Sequence, residues 1–157
     1  MLKHTKGNLI TLAGQGEFDF IIQGCNCHCT FGSGIAREIA QRCPEAYAAD
    51  KLTKFGDYLK LGMYTKALIS NFNNEFTIIN AYTQFSTSKM GEDVFEYAAF
   101  ELILQKIAHL YGDQRMGLPY IGMGLAGGDK TRIIPLIEKF AETVADKGGS
   151  VTLVEFG

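Results

Sequence analysis

The chain has 157 residues, of which 46% are apolar and 20% charged, and its formal net charge is −2. That length fits a single domain, residues 1–157, with a core that needs no disulfide or metal staple. The slight acidity argues against general nucleic-acid binding, which calls for a basic surplus, and no apolar run approaches bilayer length. The opening Met1-Leu2-Lys3-His4 lacks the apolar segment of a signal peptide, so the expectation is a cytoplasmic monomer with no membrane partner, in the host cytoplasm if the source is viral.

Short apolar runs alternate with helical patterns along the chain. Residues 9–12 and 18–22 read as strands joined through the turn formers Gly14-Gln15-Gly16. A helix follows over 33–41. Pro44 ends it, because the residue before a proline is pushed out of the helical region, and can open a second short helix. Residues 64–69 and 76–82 have the β-branched and aromatic content of strands. Phe100, Ile103, Leu104, Ile107 and Leu110 recur at helical steps and define one apolar face. Residues 117–121 read as a strand. Ile133, Ile137, Phe140 and Val144 mark a last helix that Pro135 forces to begin near Thr131, and 151–154 a last strand. The expected fold class is α/β: a three-layer α/β/α domain on a mixed, mostly parallel sheet of about six strands.

Two loops carry the chemistry. The strand ending near Ile22 runs into Cys25-Asn26-Cys27-His28-Cys29-Thr30-Phe31-Gly32-Ser33-Gly34-Ile35-Ala36 and then into a helix. Glycines at such a junction let backbone N–H groups approach an anion, and the helix end adds partial positive charge. The second loop, Gly122-Met123-Gly124-Leu125-Ala126-Gly127-Gly128-Asp129, also joins a strand to a helix. Two such loops point to a diphosphate clamped from both sides. Neither has the Gly-Lys-Ser/Thr of a P-loop or a clean Gly-x-Gly-x-x-Gly, so nucleotide triphosphatases and ordinary dinucleotide dehydrogenases are poor matches. Cys25, Cys27 and Cys29 are spaced too tightly for a zinc site, with only Cys43 elsewhere, and read as small thiols packed around a tight loop. No metal and no cofactor is expected.

These segments, in this order and spacing, resemble a macrodomain over nearly the whole chain. Gly7-Asn8-Leu9-Ile10 resembles the family's opening segment, Cys25-Asn26 its strand-end asparagine, and the two glycine loops its phosphate loops. Gly24-Cys25-Asn26-Cys27, Gly32-Ser33-Gly34-Ile35-Ala36 and Pro44-Glu45-Ala46-Tyr47 are more narrowly similar to the ADP-ribose-1″-phosphate phosphatase-like branch. The resemblance implies ADP-ribose, or a phosphorylated or acylated derivative, as the partner molecule. It assigns the adenine amino group to Asn8 beside Leu9, and the distal ribose to Asn26. The phosphates fall to Gly32, Ser33, Gly34, Ile35 and Ala36 on one side and to Gly122, Met123, Gly124, Leu125, Ala126 and Gly127 on the other. Phe156 either stacks on adenine or closes the core.

For activity the resemblance implies hydrolysis of ADP-ribose-1″-phosphate to ADP-ribose and phosphate. The alternatives are a non-catalytic reader of ADP-ribose and a hydrolase of ADP-ribosyl esters or O-acetyl-ADP-ribose. Gln23, Gln84 and Ala126 stand where relatives carry catalytic groups, which leaves His28 and Asp129 as catalytic candidates. His28 is either an acid/base near the 1″-phosphate or a ring filling space beside the ribose. Asp129 either activates a water or is a helix N-terminal acid favoured by the macrodipole. Lys89, Gly91, Glu92 and Asp93 form a polar loop that either lids the distal ribose or is a solvated turn.

Overall fold

Period-two burial in the central strands sets the layers. The computed structural model describes residues 1–32, 34–87, 93–124 and 126–157. The ligand candidates Ser33 and Leu125, and Lys89, Gly91 and Glu92 of the expected lid, lie outside the described residues. In chain order the elements are β1 (Leu2–Lys6), α1 (Leu9–Gly14), β2 (Phe20–Cys25), α2 (Gly34–Arg42), α3 (Pro44–Lys51) and a 3₁₀ turn (Tyr58–Lys60). There follow β3 (Tyr64–Ile69), β4 (Phe76–Tyr82), α4 (Tyr97–Tyr111), β5 (Arg115–Leu118), α5 (Lys130–Asp146) and β6 (Ser150–Glu155). The six strands form one sheet in the order β1-β6-β5-β2-β4-β3. All neighbours are parallel except β3, which runs antiparallel to β4.

Successive side chains of a strand point to opposite faces, so each central strand feeds two cores. Ile22, Ile79, Leu118, Val151 and Leu153 pack with α4 and α5 through Phe100, Ile103, Ile107, Ile137 and Val144. Ile21, Ile78, Tyr82 and Val154 pack on the other face with Ile10 of α1, Ile39 of α2 and Ala46 of α3. The result is the expected α/β/α sandwich with a mixed, mostly parallel sheet.

Five local features differ from the expectations. Residues 9–12 form a helix, not a strand. Asn8 caps it, its Oδ1 accepting the Thr11 N–H at 2.9 Å, and Leu9, Ile10 and Ala13 bury together at helical spacing. A four-residue apolar run cannot distinguish the two periods, whereas an Asx cap decides the conformation. The strand β1 goes unseen in the sequence because only Leu2 is even partly buried; the rest of this edge strand is exposed. The strand in 18–22 begins later and runs on through Gln23 to Cys25, where the buried Gln23 Nε2 donates to Asn80 Oδ1 at 2.9 Å. The strand expected at 117–121 is shifted to Arg115–Leu118, stopping before Pro119, which has no N–H for a ladder. Leu110, placed on the buried face of the long helix, is 58% exposed. The start of α5 at Lys130 agrees within one residue with the limit set by Pro135.

The start of β2 is tied to β5 by a forked ion pair. Arg115 donates to Asp19 through Nη2 at 2.8 Å and Nε at 3.1 Å. The guanidinium beside Asp19 holds its carboxyl below the usual carboxylate range. A depressed native pKa gives stabilisation that is present above the unfolded-state value and lost as pH falls through the native one. Both groups are partly exposed, so the contribution is small. Asp19→Asn should therefore reduce stability in urea at neutral pH and flatten its decline between about pH 5 and about pH 2. An unchanged acid-side slope would contradict this assignment.

Candidate functional site

The carboxyl ends of β2, β5 and β6 open into a cleft with two lobes, where open parallel sheets place ligands. One lobe, about 500 Å³, is mainly apolar, lined by Leu9, Ile35, Val154 and Phe156 with Glu38 at its wall. The other, about 440 Å³, is more polar and is lined by Asn26, Thr30, Gly32, Gln84, Gly124 and Ala126 among others. Gly34, Ile35, Pro119 and Tyr120 line both, so the two lobes adjoin, with the first glycine loop at their waist.

Asn26 shapes the first loop. It is 8% exposed; its Nδ2 donates to Thr30 Oγ1 at 2.8 Å and its Oδ1 accepts the His28 N–H at 2.8 Å. The turn between these bonds puts Cys29 at φ +56, a left-handed conformation rare for a side chain with a Cβ. Cys29 is held there: its Sγ lies 3.4 Å from the Asp50 carbonyl and 3.6 Å from Lys60 Nζ, and its carbonyl accepts from the Tyr47 hydroxyl at 3.3 Å. Cys27 N–H donates to the Phe85 carbonyl at 2.9 Å. Burial pushes the Cys25 thiol well up, Cys27 to about 11 and Cys43 to about 12, so these sulfurs stay protonated. Among the described residues no three His, Cys, Asp or Glu side chains gather as a cation site.

Both loops present bare backbone. A Cβ built on Gly32, Gly34 or Gly124 would meet nothing within 4 Å. Among the described residues the N–H groups of Gly32, Gly34, Ile35 and Ala36 have no backbone acceptor, as expected for the first turn of α2. Gly124 and Ala126 are likewise without one, whereas Met123 N–H bonds the Tyr120 carbonyl and Gly127 N–H bonds Gly124. Met123 and Gly127 thus build the second loop from inside. Gly122 lines the cleft but its role is steric: at φ +76, a Cβ would come 2.5 Å from the Phe95 ring. Gly128 closes the loop by donating to the Gly122 carbonyl at 2.7 Å.

The two catalytic candidates lie apart from this lining. The His28 ring packs edge-on between Phe85 and Phe55, with centroids 4.6 Å and 5.2 Å away. Asp129 caps α5: its Oδ1 accepts from Thr131 N–H at 2.9 Å and Thr131 Oγ1 at 2.6 Å, and these bonds hold its carboxyl below the usual range. Asp129 thus serves as the N-cap of α5, and the His28 ring packs among aromatic side chains. Neither is among the residues lining either lobe.

The architecture matches the solved structure of a macrodomain protein from Streptomyces coelicolor with a TM-score of 0.72, at 20% identity and over the full length of both chains. The fold is a macrodomain fold. A Trypanosoma brucei macrodomain solved in complex with ADP-ribose matches with a TM-score of 0.65 at 10% identity, over 99% of this chain and 63% of that one. In sequence, the chain is 29% identical over 147 residues, 90% of each protein, to an uncharacterized 17.5 kDa protein of Enterobacteria phage T4. No family model matches the chain.

Within this fold the remaining candidates find definite places. Phe156 is 80% exposed at the mouth of the apolar lobe and so does not close the core. Asn8 caps α1 and lies outside the lining, while Leu9 lies within it. Gln23 is enclosed in the sheet, away from the cleft, whereas Gln84 and Ala126 line the polar lobe. Glu38, Tyr120, Thr30 and Thr87 line the cleft without having been singled out from sequence. Only Glu38 left a trace there, as the residue one turn along α2 from Gly34, on the same helix face.

The glycines separate into steric and open positions, which mutation should distinguish. Gly122→Ala combines a left-handed backbone with a clash against Phe95 and should cost roughly 2 kcal/mol or more. Gly32→Ala and Gly124→Ala should leave the melting temperature within about 2 °C of wild type. Equal melting temperatures for all three variants would contradict this division.

Proposed function

We propose that the cleft binds ADP-ribose or a derivative extended at the distal ribose. The observation that carries this reading is a two-lobed cleft whose shared lining includes backbone N–H groups with no backbone acceptor among the described residues. An apolar lobe with an exposed aromatic suits a nucleobase. Open N–H groups of Gly32, Gly34, Ile35 and Ala36, faced by those of Gly124 and Ala126, suit a diphosphate. The polar lobe, with Asn26, Thr30 and Gln84, suits a second sugar. The ADP-ribose found in the Trypanosoma brucei macrodomain supports the same ligand here.

Holding, rather than hydrolysis through His28 or Asp129, is what the site chemistry favours. A proton-transfer group must come within hydrogen-bond reach of the reacting oxygen, and neither candidate is among the residues lining the two lobes. Hydrolysis of the phosphomonoester of ADP-ribose-1″-phosphate is the second reading. It is favoured by the similarity of residues 24–27, 32–36 and 44–47 to the phosphatase-like branch. It would draw on positioning and electrostatic stabilisation by the loops. Ester hydrolysis at the distal ribose would use the same lobe.

Titration calorimetry should show saturable binding of ADP-ribose, with ADP at least about tenfold weaker because it leaves the polar lobe unfilled. Gly124→Val, which places a side chain in that open space, should lose at least about tenfold in affinity while remaining folded. His28→Ala and Asp129→Ala should keep wild-type affinity and any phosphate release from ADP-ribose-1″-phosphate. Absence of ADP-ribose binding by the wild type would sink the proposal. Loss of phosphate release in either alanine variant, with binding intact, would restore that residue to catalysis.

A further inference from the structure

The apolar lobe contains one feature that the family resemblance does not supply. The resemblance gives the adenine amino group to Asn8, yet the structure uses that side chain completely. Asn8 Oδ1 accepts from Thr11 N–H at 2.9 Å and from Arg42 Nη1 at 3.1 Å. An amide oxygen has two lone pairs, and both are taken. Its Nδ2 is a donor and cannot receive another amino group. That Nδ2 is turned onto Glu38, donating to Oε1 and, at 3.0 Å, to Oε2.

Glu38, not Asn8, lines the lobe. Its carboxylate is fixed from behind by Asn8 and by Arg42, whose Nη1 lies 3.6 Å from Oε1 and also donates to Thr11 Oγ1 at 3.0 Å. The Glu38 side chain is 26% exposed, beside Leu9, Ile35 and Phe156. A carboxylate has about four acceptor positions, so capacity remains after these bonds. The other carboxylate at this lobe, Glu155, is 56% exposed and pairs with Lys6 at 3.7 Å on the sheet edge.

We propose that Glu38, oriented by Asn8 and Arg42, accepts the exocyclic amino group of adenine and is the residue that selects adenine over 6-oxopurines. This rests on the ADP-ribose reading above and names the base-selecting group within it. Adenine offers a 6-amino donor toward the carboxylate. Hypoxanthine presents a 6-oxo acceptor at the same position, and two acceptors facing each other lose the bond and repel. Hydrogen bonds to charged groups are strong enough that the preference should be roughly ten- to a hundredfold.

The test is the affinity ratio of ADP-ribose to its hypoxanthine analogue, which differs only at the 6-position. It would be measured by calorimetry on the wild type, Glu38→Ala, Glu38→Gln and Asn8→Ala, with folding monitored by circular dichroism. The wild type should prefer ADP-ribose roughly ten- to a hundredfold. Glu38→Ala should bring the ratio near one, and Glu38→Gln, whose amide can present oxygen or nitrogen, should reduce it. Asn8→Ala should keep a clear adenine preference with weaker overall binding. Glu38 in a purely structural role would weaken both ligands alike and leave the ratio unchanged, overturning the inference while the function stands. A ratio that collapses in Asn8→Ala but persists in Glu38→Ala would return the role to Asn8. If the wild type binds neither ligand, the ADP-ribose reading itself fails, and this inference with it.

Discussion

The site depends on backbone N–H groups at the waist of the cleft that have no backbone acceptor among the described residues. Buried or half-buried donors normally find partners, because an unmade hydrogen bond keeps its full desolvation cost. Here the first turn of α2 and the second glycine loop keep several donors open, and the residues around them are arranged to prevent collapse. Gly122 packs against Phe95, Gly128 donates to the Gly122 carbonyl, and Val94 N–H binds the Ala126 carbonyl. The second loop is therefore held by its own internal bonds at Met123, Gly127 and Gly128, which leaves Gly124 and Ala126 to face the cleft.

The first loop is held from beneath by polar groups that the sheet and α3 bury. The Tyr82 hydroxyl donates to Asp50 Oδ1 at 2.7 Å, and Lys60 Nζ donates to Thr53 Oγ1 at 2.8 Å next to Cys29. Asn80 joins Gln23 to the Ala46 carbonyl, connecting β2, β4 and α3. Such a network is costly: among the described residues Gln23 Oε1, Asp50 Oδ2 and Thr83 Oγ1 are buried without a partner, and burial pushes the Asp50 carboxyl up. An apolar core would avoid that cost, but it would offer nothing to pin the Cys29 carbonyl and sulfur in a left-handed turn. The network connects core packing to the geometry of Asn26, and through Asn26 to the polar lobe.

Much of this was legible in the sequence because its signals are local. The glycine loops at strand-to-helix junctions, the limit Pro135 sets on α5, and the β-branched runs of β3 and β4 each follow from residue chemistry over a few positions. The misreadings share a cause: the deciding partner is distant in sequence. Gln23 extends a strand because Asn80 receives its amide, and β1 exists because β6 pairs with it, not because its own residues are apolar. At the site, the resemblance assigned Asn8 to the ligand, but Asn8 caps α1, and its oxygen is taken by Thr11 N–H and Arg42 Nη1. Glu38 went unnoticed for the opposite reason. A glutamate in an amphipathic helix reads as solvated surface until the fold brings β6 and Phe156 across from it.

A crystal structure of the protein soaked with ADP-ribose tests the central claim most directly. The account predicts the diphosphate within hydrogen-bond distance of the N–H groups of Gly34, Ile35 and Ala36 on one side and of Gly124 or Ala126 on the other. The adenine would lie beside Phe156 and the distal ribose beside Asn26. A ligand bound elsewhere, or phosphates held by side chains with those N–H groups still facing solvent, would contradict it.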